Sequence, residues 1–348
     1  MRQTLAILAC LFAFCFGHAK TLAEAAESLT PKLPAGCIVT AEQTSQGTRF
    51  ALAGQSPDPT QAPETLVFEI ASLTKIFTGI LLAEAVLEKK VTLDTTVAEL
   101  VGPDCKFADA RVGRITLKQL STHTSGLPRM PDNFTNGFKS YFTNGFKSYA
   151  TYDDTLMLAW LAKVELKKDA PYACSYSNIG VSLLGYLVAK QYGKSWTDCV
   201  LEKVCKPLGL THTQPSHLPS LGTLAPPYSG TKPGIVTTFQ AFAPAGSLRS
   251  TAADMLKFGQ ALANPERTPL KDALTLALQA HADANVNGGK VALGAFRTGT
   301  AERLAYGHDG ATAGYRSSIQ VMPAQATVRI VLMNNNTMEG SDILKAMK

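Results

Sequence analysis

The sequence predicts an α+β fold. An α/β sheet domain is assembled from both chain ends (residues 33–100 and 235–348) around an inserted, mainly helical domain (residues 101–234). Three observations predict it. Strand-like apolar runs crowd the first third, helix-period runs fill the middle, and two β-rich runs return near the end. The cleft between two such bodies is the natural place for a site.

Residues 1–19 read as a secretory signal. Arg2 supplies the charged start, Leu5 to Phe16 an uncharged apolar core, and Gly17-His18-Ala19 the small residues for cleavage near Ala19. That run is too short to span a bilayer and no later stretch is long enough, so the expected location is periplasmic or secreted. Residues 20–32 form a tether or first helix. Cys37-Ile38-Val39-Thr40, Thr48-Arg49-Phe50-Ala51-Leu52 and Leu66-Val67-Phe68-Glu69-Ile70 read as strands separated by Gly, Pro and Ser turns. From Ser72 onward, Leu73, Ile76, Phe77, Ile80 and Leu81 recur at helical spacing to about Glu88. Leu93-Asp94-Thr95 and Val97 to Val101 open the helical middle. Thr116 to Ser121, Thr155 to Leu166, Gly180 to Tyr192 and Trp196 to Lys206 continue it until Pro207 and Gly209 stop the last helix. Pro- and Gly-rich residues 215–234 read as a surface excursion. Tyr315 to Met322 and Thr327 to Met333 are strands joined by Pro323-Ala324-Gln325-Ala326 as a hairpin, and Asp342 to Met347 closes the chain as a helix. Within the loop at 129–150, the octapeptide Phe134 to Tyr141 recurs at once as Phe142 to Tyr149. Two copies are too few for a repeat architecture. They read either as a duplication tolerated in a loop or as a lip of two Asn-Gly turns over the site.

Composition narrows the function. The chain has 348 residues, 45% hydrophobic and 17% charged, which is globular. Arg2 is the one charged residue of 1–19, so processing lowers the net charge from +6 to +5. No Lys/Arg cluster accompanies that charge, which excludes nucleic acid as the expected partner. Cys37, Cys105, Cys174, Cys199 and Cys205 remain after processing; disulfides suit an exported protein, yet five thiols cannot all pair within one chain. Their spacing matches no zinc pattern, and His123, His212, His217, His281 and His308 are scattered. Neither metal nor cofactor is expected, and the protein is expected to act as a monomer.

Three short motifs carry chemistry. Ser72 sits at a predicted helix N-terminus, where free N–H groups favour developing negative charge, and Lys75 leaves the same face one turn later. A serine with such a cation suits nucleophilic acyl transfer, although Ser229-Gly230-Thr231-Lys232 repeats the spacing in a stretch with no helical pattern. Tyr176 and Asn178 stand one residue apart before a helix. A phenol near a lysine can lose part of its proton affinity and act as a base, and the amide can hold a substrate amide. Last come His308-Asp309-Gly310-Ala311, where glycine lets a substrate backbone approach an edge strand and the Ala311 N–H, with that of Ser72, can form an oxyanion hole.

In that order, Ser72-x-x-Lys75, Tyr176-x-Asn178 and His308-x-Gly310 resemble the motifs of the penicillin-recognising serine hydrolases. The likeness is nearest to the class C β-lactamase and low-molecular-weight DD-peptidase (penicillin-binding protein) branch. Connecting phrases such as Leu120 to Pro128, Lys206 to Leu210 and Ala245 to Met255 are similar to those of that family, and the resemblance runs from about residue 36 to the C-terminus. It implies a β-lactamase/transpeptidase-like fold, an antiparallel sheet flanked by helices plus an all-helical domain, with Ser72 at their junction. It also implies an acyl-enzyme on Ser72, the Lys75/Tyr176 pair as base, Asn178, His308, Gly310 and Ala311 against substrate, and cell-wall-type peptides of peptidoglycan or β-lactams as partners. One departure stands out. Class C β-lactamases usually carry Lys-Thr-Gly where this chain has His308-Asp309-Gly310, and a histidine is only partly charged near neutral pH. Arg297, Arg316 and Arg249 are the candidates to replace the missing cation. The expected activity is that of a D-alanyl peptidase. A β-lactamase, an esterase of the same fold and a non-catalytic binding or assembly protein are the alternatives. His123 is read as structural, because Ser-Lys-Tyr chemistry needs no histidine base.

Overall fold

Two-residue periodicity builds the main sheet, and both of its faces are apolar. A computed structural model describes residues 20–103, 105–134, 149–285 and 288–347, so the signal-like segment and all of the duplicated octapeptide except Phe134 and Tyr149 lie outside the described residues. β1 (Cys37–Thr44) and β2 (Gly47–Gly54) form a hairpin with Thr44 opposite Gly47. On its other side β1 takes β13 (Thr327–Met333), the last strand of the chain, with Ile38 opposite Met333. β12 (Arg316–Met322) joins β13 through the expected hairpin. β11 (Ala305–Ala311), β10 (Phe296–Thr298), β9 (Lys290–Val291) and β8 (Ala282–Asp283) extend the sheet in the order β2-β1-β13-β12-β11-β10-β9-β8, antiparallel throughout.

Alternate residues face opposite layers. Ile38, Val331 and Met333 pack on Leu22, Ala25 and Ala26 of the Leu22–Leu29 helix and on Ile343 of the Gly340–Lys345 helix. Val39, Ala41, Val328, Ile330 and Leu332 point the other way into the main core. There the Thr74–Leu87 and Ala252–Ala263 helices meet, and Phe77 stacks on Phe258 at 4.1 Å. The Thr74–Leu87 helix has eleven of its 14 residues buried, as a helix with apolar residues all round must. Its surroundings include the helical middle: Val97–Val101, Ala110–Gly113, Leu117–Ser121, Asp154–Leu161, Asn178–Gln191 and Trp196–Val200. Thr96, Asp109, Thr116, Asp153, Ser177 and Ser195 cap these six helices, each side chain accepting a backbone N–H that the helix start leaves free.

Several details differ from the sequence-based expectation. The Asp154 helix stops at Leu161 rather than Leu166, and the Trp196 helix continues as a π-helical turn over Leu201–Cys205. The excursion at 215–234 contributes β4 (Gln214–Pro215) and a small β5 (Tyr228–Ser229) and β6 (Lys232–Pro233) hairpin. β4 pairs with β7 (Leu248–Thr251), which pairs with β3 (Val67–Glu69), so a second, three-stranded sheet supports the nucleophile. All five described thiols are free, with Cys37, Cys199 and Cys205 buried. Among the described residues no helix is long and apolar enough to cross a membrane.

Candidate active site

β3 delivers the nucleophile. After Glu69 and Ile70 the chain turns at Ala71, whose φ of +49° is an unfavourable conformation for a residue with a side chain. Ser72 follows in a single 3-10 turn, Ala71–Leu73, that runs into the Thr74–Leu87 helix, so it occupies the helix N-terminus expected for it. Lys75 is fully buried one turn on. Its Nζ lies 3.0 Å from Ser72 Oγ and donates to Ala245 O at 2.6 Å. Burial first, and the nearby Arg129 guanidinium second, push its pKa well below that of an ordinary lysine. An amine that gives up its proton this readily, in contact with the serine hydroxyl, suits a proton acceptor.

The second motif is held by His123. Its φ is +61°, its carbonyl accepts the Ser175 N–H at 2.7 Å, and its Nδ1 accepts the Ser177 N–H at 3.2 Å. Burial and neighbouring positive charge push its pKa down to about 3, so the ring is neutral and serves as a spacer, packed 4.5 Å from the Tyr176 ring. Ser177 then caps the next helix, accepting from Gly180 N at 3.0 Å and donating to Pro128 O at 2.7 Å. Asn178 is the first residue of that helix and lines the cleft. Tyr176 contradicts the sequence-based view of a phenol with weakened proton affinity. Burial pushes its pKa up to about 12 and outweighs both its hydrogen bond with Ser72 and the Arg129 charge. Of the Lys75/Tyr176 pair, Lys75 is therefore the group able to take a proton, while Tyr176 keeps its own.

The third motif lies within β11 itself rather than in a turn before a strand. The Thr312 N–H donates to Tyr315 O at 3.1 Å, which makes that the hydrogen-bonded pair closing the β11–β12 hairpin. Pairs alternate along an antiparallel ladder, so Ala311, opposite Arg316, turns its N–H away from β12. β10 pairs only with Ala305–Gly307, which leaves that edge uncovered beside Ser72. Gly310 sets the spacing: a Cβ there would lie 2.5 Å from Ile70 O and 3.1 Å from the Ala71 Cβ. His308 differs from the partly charged group anticipated. Burial pushes its pKa down to about 3, and it is neutral. Its Nδ1 lies 2.6 Å from Asp309 O; a carbonyl only accepts, so Nδ1 carries the proton and Nε2 is left as a buried acceptor without a partner among the described residues.

These residues converge on one cleft of about 1000 Å³, whose lining includes Ser72, Tyr176, Asn178, His308, Gly310 and Ala311. A second void of about 30 Å³ touches Ser72, Asn178 and Ala311 and has room for a water molecule. The three arginines proposed as the missing cation fare differently. Arg249 is buried on β7 opposite Glu69, outside the cleft lining. Arg316 is held by Glu339, Thr312 O and Asn336 O. Arg297 lines the cleft with one long bond to Leu278 O, 3.4 Å. Sequence reasoning missed Arg129, which also lines the cleft; the only signal for it was its place directly after the Leu120 to Pro128 phrase.

The chain is similar to known proteins along most of its length. The chain is 29% identical over 296 residues to "Penicillin-binding protein 4" of Amycolatopsis lactamdurans, covering 77% of this chain and 72% of that one. It is 28% identical over 147 residues to the "D-alanyl-D-alanine-carboxypeptidase/endopeptidase AmpH" of Escherichia coli (strain K12), a match covering 42% of this chain and 36% of that protein. The crystal structure of a class C β-lactamase from Rhodobacter sphaeroides superposes with a TM-score of 0.78 at 22% identity, covering 94% of this chain and 97% of that one, a likeness of fold. A family model described as Beta-lactamase matches residues 44–347, nearly the whole length, and the chain belongs to that family as a serine hydrolase of the β-lactamase fold.

Proposed function

We propose that this chain is an exported acyl-enzyme hydrolase acting on D-alanyl peptides of cell-wall type, a carboxypeptidase or endopeptidase. The observation that carries the reading is the buried Lys75 amine, its pKa depressed, 3.0 Å from Ser72 Oγ. In the proposed sequence Ser72 Oγ attacks the substrate carbonyl carbon while its proton passes to Lys75 Nζ. The N–H groups of Ser72 and Ala311 stabilise the oxyanion as charge develops. Collapse breaks the C–N bond. Tyr176 gives its proton to the leaving amine and recovers one from Lys75, a role for which a phenol that keeps its proton is suited. Asn178 holds the amide of the acyl group. Water, entering from the small void beside Ser72, then attacks the ester with Lys75 again as base.

The peptidase reading is supported by the neutral His308, which lacks the fixed cation of a Lys-Thr-Gly motif, and by the D-alanyl peptidase named among the relatives. A β-lactamase is the second reading, favoured by the likeness to a class C enzyme along almost the whole chain. Intact-mass analysis of the protein incubated with penicillin and sampled over time separates them. A lasting adduct supports a penicillin-binding peptidase, and consumption of the drug without an adduct supports a β-lactamase. Ser72→Ala is expected to abolish the adduct, and unchanged labelling would refute the site. Lys75→Arg puts a permanently protonated guanidinium beside Ser72 that cannot accept its proton, so acylation is expected to fall by roughly 100- to 10,000-fold. Stopped-flow labelling measures this; a loss below tenfold would remove Lys75 as the base.

A further inference from the structure

The helical wall of the cleft holds an arginine with no anionic partner among the described residues. Pro128 O accepts from Ser177 Oγ and Arg129 O accepts from the Asn178 N–H at 3.0 Å, so the backbone is pinned to the start of the Asn178 helix. The Arg129 side chain is exposed to the cleft, its guanidinium carbon 5.0 Å from the centre of the Tyr176 ring. Among the described residues that ring is the guanidinium's one partner, and no hydrogen bond or ion pair engages it. Of the other cations near the cleft, Arg297 on β10 spends one N–H on the Leu278 carbonyl at 3.4 Å, and the rest are committed. Arg316 bonds Glu339 and two carbonyls, Lys290 pairs with Asp283, and Arg249 sits behind the nucleophile.

On the opposite wall, His308 presents the lone pair of Nε2, which accepts hydrogen bonds and repels a carboxylate. His308 thus supplies no anion recognition on the β11 side, and a guanidinium without an anionic partner among the described residues stands one aromatic ring from the hydroxyl that bonds Ser72. Guanidinium groups bind carboxylates through paired, charge-assisted bonds.

We propose that Arg129 is the specificity-determining residue of this cleft. It binds the carboxylate of the substrate and selects acyl donors whose leaving group is a C-terminal amino acid with a free carboxylate. The inference rests on the acyl-transfer reading for the position of the scissile bond, but the binding it describes needs no turnover. The test therefore uses the Ser72→Ala protein, titrated by calorimetry with acetyl-D-alanyl-D-alanine and with its C-terminal amide. Arg129 is kept, changed to Gln, or changed to Lys.

With Arg129 present, the free acid is expected to bind roughly 10- to 100-fold tighter than the amide, and to weaken as salt rises. Arg129→Gln erases that preference and leaves the amide within about threefold, because only the charge-assisted bonds are lost. Arg129→Lys restores part of it. An unchanged preference in Arg129→Gln, equal weakening of both ligands, or no binding of either ligand to the Arg129 protein would each overturn the proposal. Penicillin labelling of Ser72 reports separately on the acyl-enzyme reading. Labelled protein without an Arg129-dependent preference removes this inference alone, and an intact preference without labelling removes only that reading.

Discussion

Gly310 is where one missing side chain brings two parts of the site together. Ser317 Oγ on β12 donates to Ile70 O at 2.8 Å, tying the sheet to the turn that carries Ser72. That bond runs through the space a Cβ on Gly310 would fill: such a Cβ would overlap Ser317 Oγ and lie 2.5 Å from Ile70 O. Ile70 O is backbone and cannot swing aside, so Gly310→Ala must break the Ser317 bond and push β11 away from Ser72. Overpacking of this kind costs about 1–3 kcal/mol. Displacing the Ala311 N–H also removes an oxyanion donor, worth roughly 100- to 1000-fold in rate. Thermal melting and stopped-flow acylation measure the two effects. Ser317→Ala is the companion variant, losing the bond without the clash at about 1 kcal/mol. Normal acylation by Gly310→Ala would exclude Ala311 from the oxyanion hole. At this scale the sequence displayed Ser72, Lys75, Tyr176, Asn178, His308 and Gly310, because each lies in a short motif. Their protonation was not legible. The burial that raises Tyr176 and lowers Lys75 and His308 comes from elements distant in sequence: Ala245 O meets the Lys75 amine, and Phe296 packs 5.5 Å from the His308 ring.

The Thr74–Leu87 helix poses a question that propensity alone answers wrongly. Replacing Gly79 inside it by Ala gains about 1 kcal/mol in an exposed helix. Here the new Cβ would overlap Leu293 O and stand 3.1 Å from Gly294 N. Both are backbone atoms in the loop that leads into β10, and a side chain on Gly294 would in turn overlap Lys75 O. Helix and loop thus touch backbone to backbone. With about 1 kcal/mol gained and about 1–3 kcal/mol lost to overpacking, Gly79→Ala is expected to destabilise by about 1 kcal/mol. Denaturant unfolding gives the sign, and a stabilised variant would mean that the loop moves aside. Elements with a repeating signal were legible: the strands at Cys37, Thr48, Arg316 and Thr327, and helices whose Thr and Ser caps precede an apolar run. The Ala252–Ala263 helix, capped by Thr251, is less legible because its first turn falls inside the Ala245 to Met255 phrase. β8, β9 and β10, of two or three residues each, are too short to show any period.

Both chain ends meet at Glu69, and the join is sensitive to protons. That sheet strands come from both ends was readable from their position in the chain. The small sheet of β3, β7 and β4 was not, since it gathers two- to four-residue pieces from far apart. Glu69 on β3 is 1% exposed; one carboxyl oxygen accepts the Thr237 N–H at 2.6 Å, and the Thr237 and Thr312 hydroxyls and the Arg249 guanidinium surround the group. Burial raises its pKa to about 7, against the lowering effect of these neighbours. The folded state therefore holds a proton between about pH 4.5 and 7 that the unfolded chain has released. Stability rises with pH only where the unfolded state binds more protons, so here it must fall as pH rises through that window. The full effect is on the order of 3 kcal/mol at 1.36 kcal/mol per unit. His123 and His308, lowered from 6.5 to about 3, act the opposite way by losing stability as pH falls below 6.5. Their contribution is shared by a Glu69→Gln protein and cancels in the difference. The stability of the natural protein minus that of Glu69→Gln, from urea unfolding at pH 4.5 to 8, is expected to decline across the window and to be level above it. A difference that grows with pH would mean that Arg249, facing Glu69 from β7, holds the carboxylate ionised, and that burial is the weaker influence at this junction.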